Sequence, residues 1–117
     1  ESSDDQSDID WLIRKIINMR IFDDENGKMN LSLQDKHGEA LVVSQFTLHA
    51  STKKGNRPSF IKAAPPEISK PLYQSFCETF SRETGHPLER GLFGAMMEVS
   101  LVNNGPVTIM IDSQDRN

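Results

Sequence analysis

The sequence predicts an α+β fold in which a mostly antiparallel, curled sheet or barrel carries two helices on its outside. Two segments have apolar residues at helical spacing, one near the start of the chain and one that follows two consecutive prolines. Shorter, strand-like apolar segments lie between the two helices and after the second one. Helices that interrupt mostly antiparallel strands are typical of α+β domains.

The first predicted helix begins at Ser7. Ser7 and Asp10 have the spacing of a capping box, in which two side chains bond to the free backbone groups of a helix start. The apolar residues that follow have the spacing i, i+3, i+4, i+7 and i+8: Ile9, Leu12, Ile13, Ile16 and Ile17. They therefore form one face of a helix, which we expect to pack in the core.

Strand-like segments follow the first helix. Asn26-Gly27 predicts a chain reversal, because both residues tolerate positive φ. After a short segment at 29–33 and a turn near Gly38, residues 40–48 predict a strand buried on both faces.

The second helix is predicted from Pro65-Pro66 to Gly85, since proline suits a helix start and glycine its end. Apolar residues recur in it every four positions: Ile68, Leu72, Phe76 and Phe80. Tyr73 lies beside this stripe. The segments 92–102 and 107–111 are predicted to be the last two strands.

The composition fits one domain over residues 1–117, a length that can fold without disulfides or a structural metal. The single cysteine, Cys77, cannot form an internal bridge, and we expect it to be an inert, packed thiol. No apolar run approaches the ~20 residues that span a bilayer. The acidic N-terminus does not resemble a signal peptide, so we expect a cytoplasmic protein without a membrane partner.

Charge is unevenly distributed along this chain of net charge −4. Residues 40–66 contain no acidic side chain, and they carry four basic ones: Lys53, Lys54, Arg57 and Lys62. This segment could meet a polyanion, or it could be an ordinary solvated loop. The overall acidity argues against a surface that binds nucleic acid everywhere, and no DNA partner is expected.

The sequence lacks the common motifs of metal and nucleotide chemistry. It has no glycine-rich phosphate loop, no His-Glu-x-x-His pair and no cysteine or histidine cluster at metal-ligand spacing. No cofactor and no metal are therefore expected. His37, His49 and His86 are isolated in the sequence, which favours surface histidines over a catalytic base, although His49 directly follows the predicted buried strand.

Two segments carry residues suited to a binding site. Ser44, Gln45 and Thr47 place polar side chains at the end of a predicted strand, where they could line a pocket, although alternation along a half-buried strand explains them equally well. In the second segment, Gly105 and Pro106 lie between the last two predicted strands, where an ordinary turn is the alternative.

Taken together, four strings resemble the D-aminoacyl-tRNA deacylases. They are SQFTL at 44–48, KGNRPSF at 54–60, FGAMM at 93–97 and NGPVT at 104–108. Their order and spacing also match, and the resemblance extends from the first helix to the last predicted strand. It implies a deacylase-like fold and a homodimeric enzyme that hydrolyses the ester between a D-amino acid and tRNA. Glycyl-tRNA is a further substrate of that family.

The resemblance also implies roles for individual residues. Ser44, Gln45, Phe46 and Thr47 would form the catalytic pocket of one subunit. Gly105 and Pro106, joined by a cis bond and flanked by Asn104, Val107 and Thr108, would enter that pocket from the other subunit and exclude L-amino acids. The basic residues Lys53, Lys54, Arg57 and Lys62 are predicted to contact the tRNA on a different ground, because their acid-free segment directly follows the predicted pocket strand.

The family has further strands before the first helix, with an arginine near its start, and these have no counterpart here. The sequence is therefore expected to be an N-terminally incomplete deacylase-like domain. A filter made of backbone carbonyls needs no ionisable side chain, and backbone N–H groups can stabilise the oxyanion. Thr47 as a nucleophile is the alternative. The alternative function is a non-catalytic RNA-binding or interaction domain with the same fold.

Overall fold

A computed structural model describes residues 1–116 of the chain, and it has the predicted α+β composition. Three short strands lie between the two helices, and a fourth follows the second helix. In chain order the elements are α1 Gln6–Asn18, β1 Phe22–Asp23, β2 Met29–Leu31, β3 Leu41–Val42, a 3-10 turn at Phe46–His49, α2 Pro66–Thr84 and β4 Glu89–Arg90. Neither helix in this part of the chain is long and apolar enough to cross a membrane.

The N-cap of helix α1 is Asp5, two residues before the predicted N-cap Ser7. The Asp5 carboxylate accepts a 2.8 Å hydrogen bond from the Ser7 N–H, and the Asp8 carboxylate accepts one of 2.9 Å from the Asp5 N–H. The box is therefore Asp5–Asp8, and the prediction of Ser7–Asp10 is wrong. The carboxylates satisfy backbone N–H groups at the positive end of the helix, where Ser7 already lies inside the first turn.

The core lies between the two helices and the segment after β2. Its buried members are Ile9, Ile13, Ile17, Leu33 and Phe80. Ile13 has no exposed surface, and the partly buried Leu72 and Phe76 pack against this cluster. The apolar stripe predicted for the first helix is thus confirmed as its core face.

Helix α2 begins and ends close to the predicted residues. Pro65 precedes its first turn, and Gly85 follows its last residue with φ +72°, a left-handed conformation that glycine adopts without strain. The Gly85 N–H donates to the Ser81 carbonyl at 2.9 Å. Two side chains of α2 also contact Gln6 of α1. The Ser75 hydroxyl donates to Gln6 Oε1, and Gln6 Nε2 donates to Thr79 Oγ1.

The predicted chain reversal near Asn26-Gly27 joins β1 and β2, which pair antiparallel. The Asp24 carboxylate accepts hydrogen bonds from the N–H groups of Asn26 and Lys28, and Gly27 has φ +74°. The carboxylate therefore holds the turn closed.

The prediction of a strand over 40–48, buried on both faces, is wrong. Only Leu41–Val42 forms a strand, and it pairs in parallel with β4, residue 41 beside Glu89. The 3-10 turn then redirects the chain at Phe46, and Leu41 is 57% exposed. Each described strand has one neighbour, so residues 1–116 contain two separate two-stranded sheets and no curled sheet or barrel.

The strands predicted at 92–102 and 107–111 are also absent from the described residues. A strand exists only where a neighbour satisfies its backbone groups, and no paired neighbour runs along this segment. Its large apolar side chains are mostly exposed, among them Met96, Val102 and Met110. Beyond it, the Gln114 amide donates to the carboxylates of Asp4 and Asp8, which fastens the end of the chain to the start of α1.

Candidate active site

A cavity of about 640 Å³ lies beside the first half of α2. Residues 44–46 and His49 form one wall, and residues 93–95 with Met97 form another. Ser69, Leu72 and Tyr73 face it from the helix. The volume is in the range of pockets that enclose a small ligand.

Three of the four residues predicted to be catalytic line this cavity: Ser44, Gln45 and Phe46. Thr47, the fourth, is not part of its lining, although Phe46 and His49 of the same 3-10 turn are. Thr47 nevertheless contacts the wall, since the Gln45 amide donates a 2.6 Å hydrogen bond to its hydroxyl oxygen. Polar side chains thus meet at the entrance to the turn.

The Phe46 ring extends the polar wall toward the basic loop. It meets the Phe60 ring edge to face, with centroids 5.2 Å apart, and Phe60 also lines the cavity. Phe46 remains 61% exposed. The cavity therefore has an open aromatic side on which a flat ligand group could stack.

Tyr73 connects the two strands that lead into the cavity walls. Its hydroxyl lies 2.6 Å from the Gly91 carbonyl oxygen and 3.2 Å from that of Val42. Its ring contacts Phe93, with centroids 5.8 Å apart. Burial raises the pKa of the Tyr73 phenol above its ordinary value, with the neighbouring Cys77 thiol acting in the same direction, so the hydroxyl keeps its proton.

Gly94 allows the second wall to turn into the cavity. It has φ +72°, a conformation that a side chain would strain. Gly91 is constrained differently, because a Cβ there would lie 2.9 Å from the Met97 sulfur. Gly94 therefore shapes the wall through its backbone conformation, and Gly91 through the space that it leaves for Met97.

The predicted chiral filter lies away from the cavity in this single chain. Asn104, Gly105, Pro106, Val107 and Thr108 are all exposed, and none of them lines the cavity. The Gly105-Pro106 bond is cis, which confirms that part of the prediction.

None of the four predicted tRNA-contacting residues lines the cavity. Lys53, Lys54, Arg57 and Lys62 are exposed. The first three belong to a loop that Ser51 and Ser59 close with two reciprocal backbone hydrogen bonds, of 2.8 and 2.9 Å. Phe60, Ala63 and Ala64 follow the loop along the chain and line the cavity.

Sequence reasoning missed several lining residues. His49 lines the cavity, although it was expected to lie on the surface, and its position directly after the wall segment was the available signal. Tyr73 was assigned to the flank of an apolar stripe, where nothing in the sequence marks a hydroxyl bonded to distant carbonyls. Cys77 is buried as expected. Among residues 1–116, no cluster of three or more potential metal ligands occurs.

Comparison with known proteins assigns the chain to a family. The family description D-Tyr-tRNA(Tyr) deacylase matches residues 1–112. D-aminoacyl-tRNA deacylases of Bacteroides thetaiotaomicron and Parabacteroides distasonis are 62% and 59% identical to this chain over 116 residues, which are 99% of it and 77% of each relative. A solved structure, the c-Myc DNA Unwinding Element Binding Protein, is 43% identical, with a TM-score of 0.83 over 92% of this chain and 72% of that one. The chain belongs to the D-Tyr-tRNA(Tyr) deacylase family.

Proposed function

We propose that this deacylase hydrolyses the ester between D-amino acids and tRNA in the cavity lined by Ser44, Gln45 and Phe46. The observation that carries the assignment is the polar wall at the cavity, whose lining also includes Phe60, Ala63 and Ala64, the residues that follow the loop of Lys53, Lys54 and Arg57 along the chain. The wall supplies hydrogen-bonding groups for the aminoacyl end, while the loop supplies positive charge for the phosphates that precede it.

Hydrolysis at this site depends on positioning rather than on a side-chain nucleophile. An aminoacyl ester is already activated, and the adjacent ribose hydroxyl of the tRNA can assist the attack of water. Backbone N–H groups of the wall segment 44–47 can stabilise the oxyanion as it forms. Among the described residues, no carboxylate or histidine bonds to the Thr47 hydroxyl, which supports a lining role for Thr47.

The chiral filter is proposed to act between two copies of the chain. Residues 104–108 are exposed and do not line their own cavity, as expected of a segment that serves a partner's site. A two-fold dimer would satisfy both sites at once. The carbonyls near Gly105 and Pro106 would receive the substrate ammonium, and an L-side chain would collide with them.

The filter also bears on which aminoacyl groups the enzyme accepts. The filter reads only the backbone of the amino acid, so glycine would also be accepted and the identity of the D-side chain would matter little. This chemistry fits a cytoplasmic enzyme that acts in translation quality control. The net charge of −4 argues against DNA binding by this chain, although the name of its structural neighbour includes DNA binding.

The decisive experiment follows ester loss from matched D- and L-aminoacyl-tRNA, with glycyl-tRNA as a third substrate. We expect rapid loss of the D-ester and of glycine and no acceleration for the L-ester. Equal rates for the two enantiomers, or no acceleration for either, would favour the non-catalytic RNA-binding alternative. Duplex DNA added as a competitor should leave the D-rate unchanged.

A further inference from the structure

The junction between the two cavity walls lies at the end of the parallel pair β3–β4. The Gly91 N–H donates to the Val42 carbonyl at 2.9 Å, which is the last ladder bond of the pair. Beyond it the chains diverge, one toward Ser44 and the other toward Phe93. The width of the cavity therefore depends on how firmly this junction is held.

Tyr73 lies at this junction. Its hydroxyl is 2.6 Å from the Gly91 oxygen and 3.2 Å from the Val42 oxygen, so one proton faces a carbonyl of each diverging chain. The shorter distance identifies Gly91 as the main acceptor. Residues 42, 73 and 91 are far apart in sequence, so this contact ties three segments of the chain together.

The ring of Tyr73 also belongs to the cavity, where it contacts Phe93. The raised pKa of the phenol keeps the donor present at neutral and mildly alkaline pH. The side chain therefore combines a lining surface with a fixed hydrogen-bond donor.

We propose that Tyr73 is a positioning residue, whose hydroxyl sets the separation of the two cavity walls for the ester. This inference rests on the proposed use of the cavity as the site of hydrolysis. Tyr73 touches no reacting atom in this account. It acts by holding the Gly91 carbonyl, from which the Phe93–Met97 wall begins, at a fixed distance from the strand that leads to Ser44.

A Tyr73→Phe variant tests the hydroxyl alone, because it keeps the ring and most of the volume. Loss of this partly buried hydrogen bond takes the Tyr73 donor from the Gly91 carbonyl and should widen the junction. We expect kcat for a D-aminoacyl-tRNA to fall roughly 5- to 10-fold, with KM little changed, because the basic loop that binds the phosphates is untouched. Ser75→Ala is the matched control, since it removes an α2 hydroxyl that bonds to Gln6 rather than at the junction.

The outcomes separate this inference from the proposed function. Ala95→Trp should fill the cavity and abolish hydrolysis. A Tyr73→Phe enzyme with wild-type kcat beside an inactive Ala95→Trp enzyme would overturn the positioning role alone. A fully active Ala95→Trp enzyme would refute the cavity as the site and the role of Tyr73 with it.

A second measurement does not depend on the folding of a variant. Tyr73 is the only tyrosine of the chain, so growth on 3-fluorotyrosine labels this position alone. We expect its fluorine resonance to shift when a non-hydrolysable D-aminoacyl-adenosine analogue is added. An unchanged resonance at saturating analogue would contradict the placement of Tyr73 at the occupied site.

Discussion

The side-chain amide of Gln45 donates a 2.6 Å hydrogen bond to the hydroxyl oxygen of Thr47. This contact occupies a lone pair of the oxygen and leaves its proton with no base among the described side chains. A threonine held in this way can donate a hydrogen bond, but it is not activated as a nucleophile. Gln45 thereby orients the residue that follows the cavity wall.

The Thr47→Ala enzyme should retain hydrolysis of D-aminoacyl-tRNA to within roughly tenfold of the wild-type rate, because the ester, the ribose hydroxyl and backbone donors remain. Single-turnover kinetics would measure this. Thr47→Ser, which keeps the hydroxyl, is the control. A loss on the order of 10⁴ in a folded Thr47→Ala enzyme would instead identify Thr47 as the nucleophile.

Replacing Lys53 and Lys54 by glutamate should raise KM for aminoacyl-tRNA by roughly tenfold at low salt and leave kcat unchanged. The dependence of log KM on log salt should flatten by about 1 to 2, as expected when phosphate contacts are lost. In the control variant, glutamate replaces Lys28 and Lys36 instead. These two exposed lysines lie outside the basic loop, and their replacement gives the same change in net charge. An unaltered salt slope in the first variant would disprove the role of the loop.

Subunit mixing can test whether the filter acts in trans. Pro106→Ala removes the ring that fixes φ at this position, and we expect it to admit L-aminoacyl-tRNA. Ala95→Trp blocks the cavity and leaves the filter intact. In a mixed dimer of the two variants, the open cavity of the Pro106→Ala chain would meet the intact filter of the Ala95→Trp chain. Chiral discrimination should therefore return.

The readout is the ratio of D- to L-ester hydrolysis in purified heterodimers carrying two different tags. The Pro106→Ala homodimer is the reference. Continued hydrolysis of the L-ester by the mixed dimer would show that each chain filters its own site. An active protein that sediments only as a monomer would exclude the arrangement altogether.

Gly91→Ala should lower kcat, because the new side chain displaces Met97. The new Cβ would lie 2.9 Å from the Met97 sulfur, so the thioether must move within the cavity that it lines. The methionine side chain is flexible, so we expect a cost of about 1 kcal/mol in stability and a several-fold lower kcat. Met97→Ala in the same chain should restore much of kcat, and strictly additive effects would show that the two residues are not coupled.

Acid should destabilise the start of α1. Hydrogen bonds from the hydroxyl and N–H of Ser7 lower the pKa of the Asp5 carboxyl below its ordinary value of 3.8. A carboxyl with a depressed pKa in the folded state stabilises the fold above its unfolded pKa, and this contribution is lost as the pH falls through the folded value. The free energy of unfolding should therefore decrease as the pH falls below about 4.

Urea titrations at several pH values would measure this effect. Asp5→Asn keeps a capping side chain without the charge, so its stability should fall less steeply with acid. The pKa values of Asp24 and Asp35 are lowered as well, and part of the pH dependence will remain. Asp23→Asn, outside the cap, serves as the control. Identical acid profiles for wild type and Asp5→Asn would refute the role of the cap.

Both helices could be predicted from sequence because their signals are local. Apolar spacing, proline at the start and Gly85 at the end place α2 within one residue, and only the cap of α1 was displaced. The strands could not be predicted in this way, since pairing depends on neighbours distant in sequence. The segment 92–111 has suitable residues for strands, but no described partner lies along it.

In the candidate site too, residues in a local motif could be predicted and residues placed by long-range contacts could not. Ser44, Gln45 and Phe46 belong to a short motif that can be found in the sequence, and they line the cavity. Tyr73 could not be found from local pattern, because its hydroxyl partners are 18 and 31 residues away. Thr47 lies in a 3-10 turn that strand propensity did not indicate, and it is not part of the lining.

The segment between Gly91 and Gln114 is fastened at both ends, by Tyr73 at one and by Asp4 and Asp8 at the other, while most side chains between them are exposed. Such a segment contributes little to holding the helix pair together, so substitutions within it leave the fold largely intact. The buried residues of the helix pair and the exposed residues of this segment are therefore under different constraints, because a substitution in the first group disturbs core packing and one in the second does not.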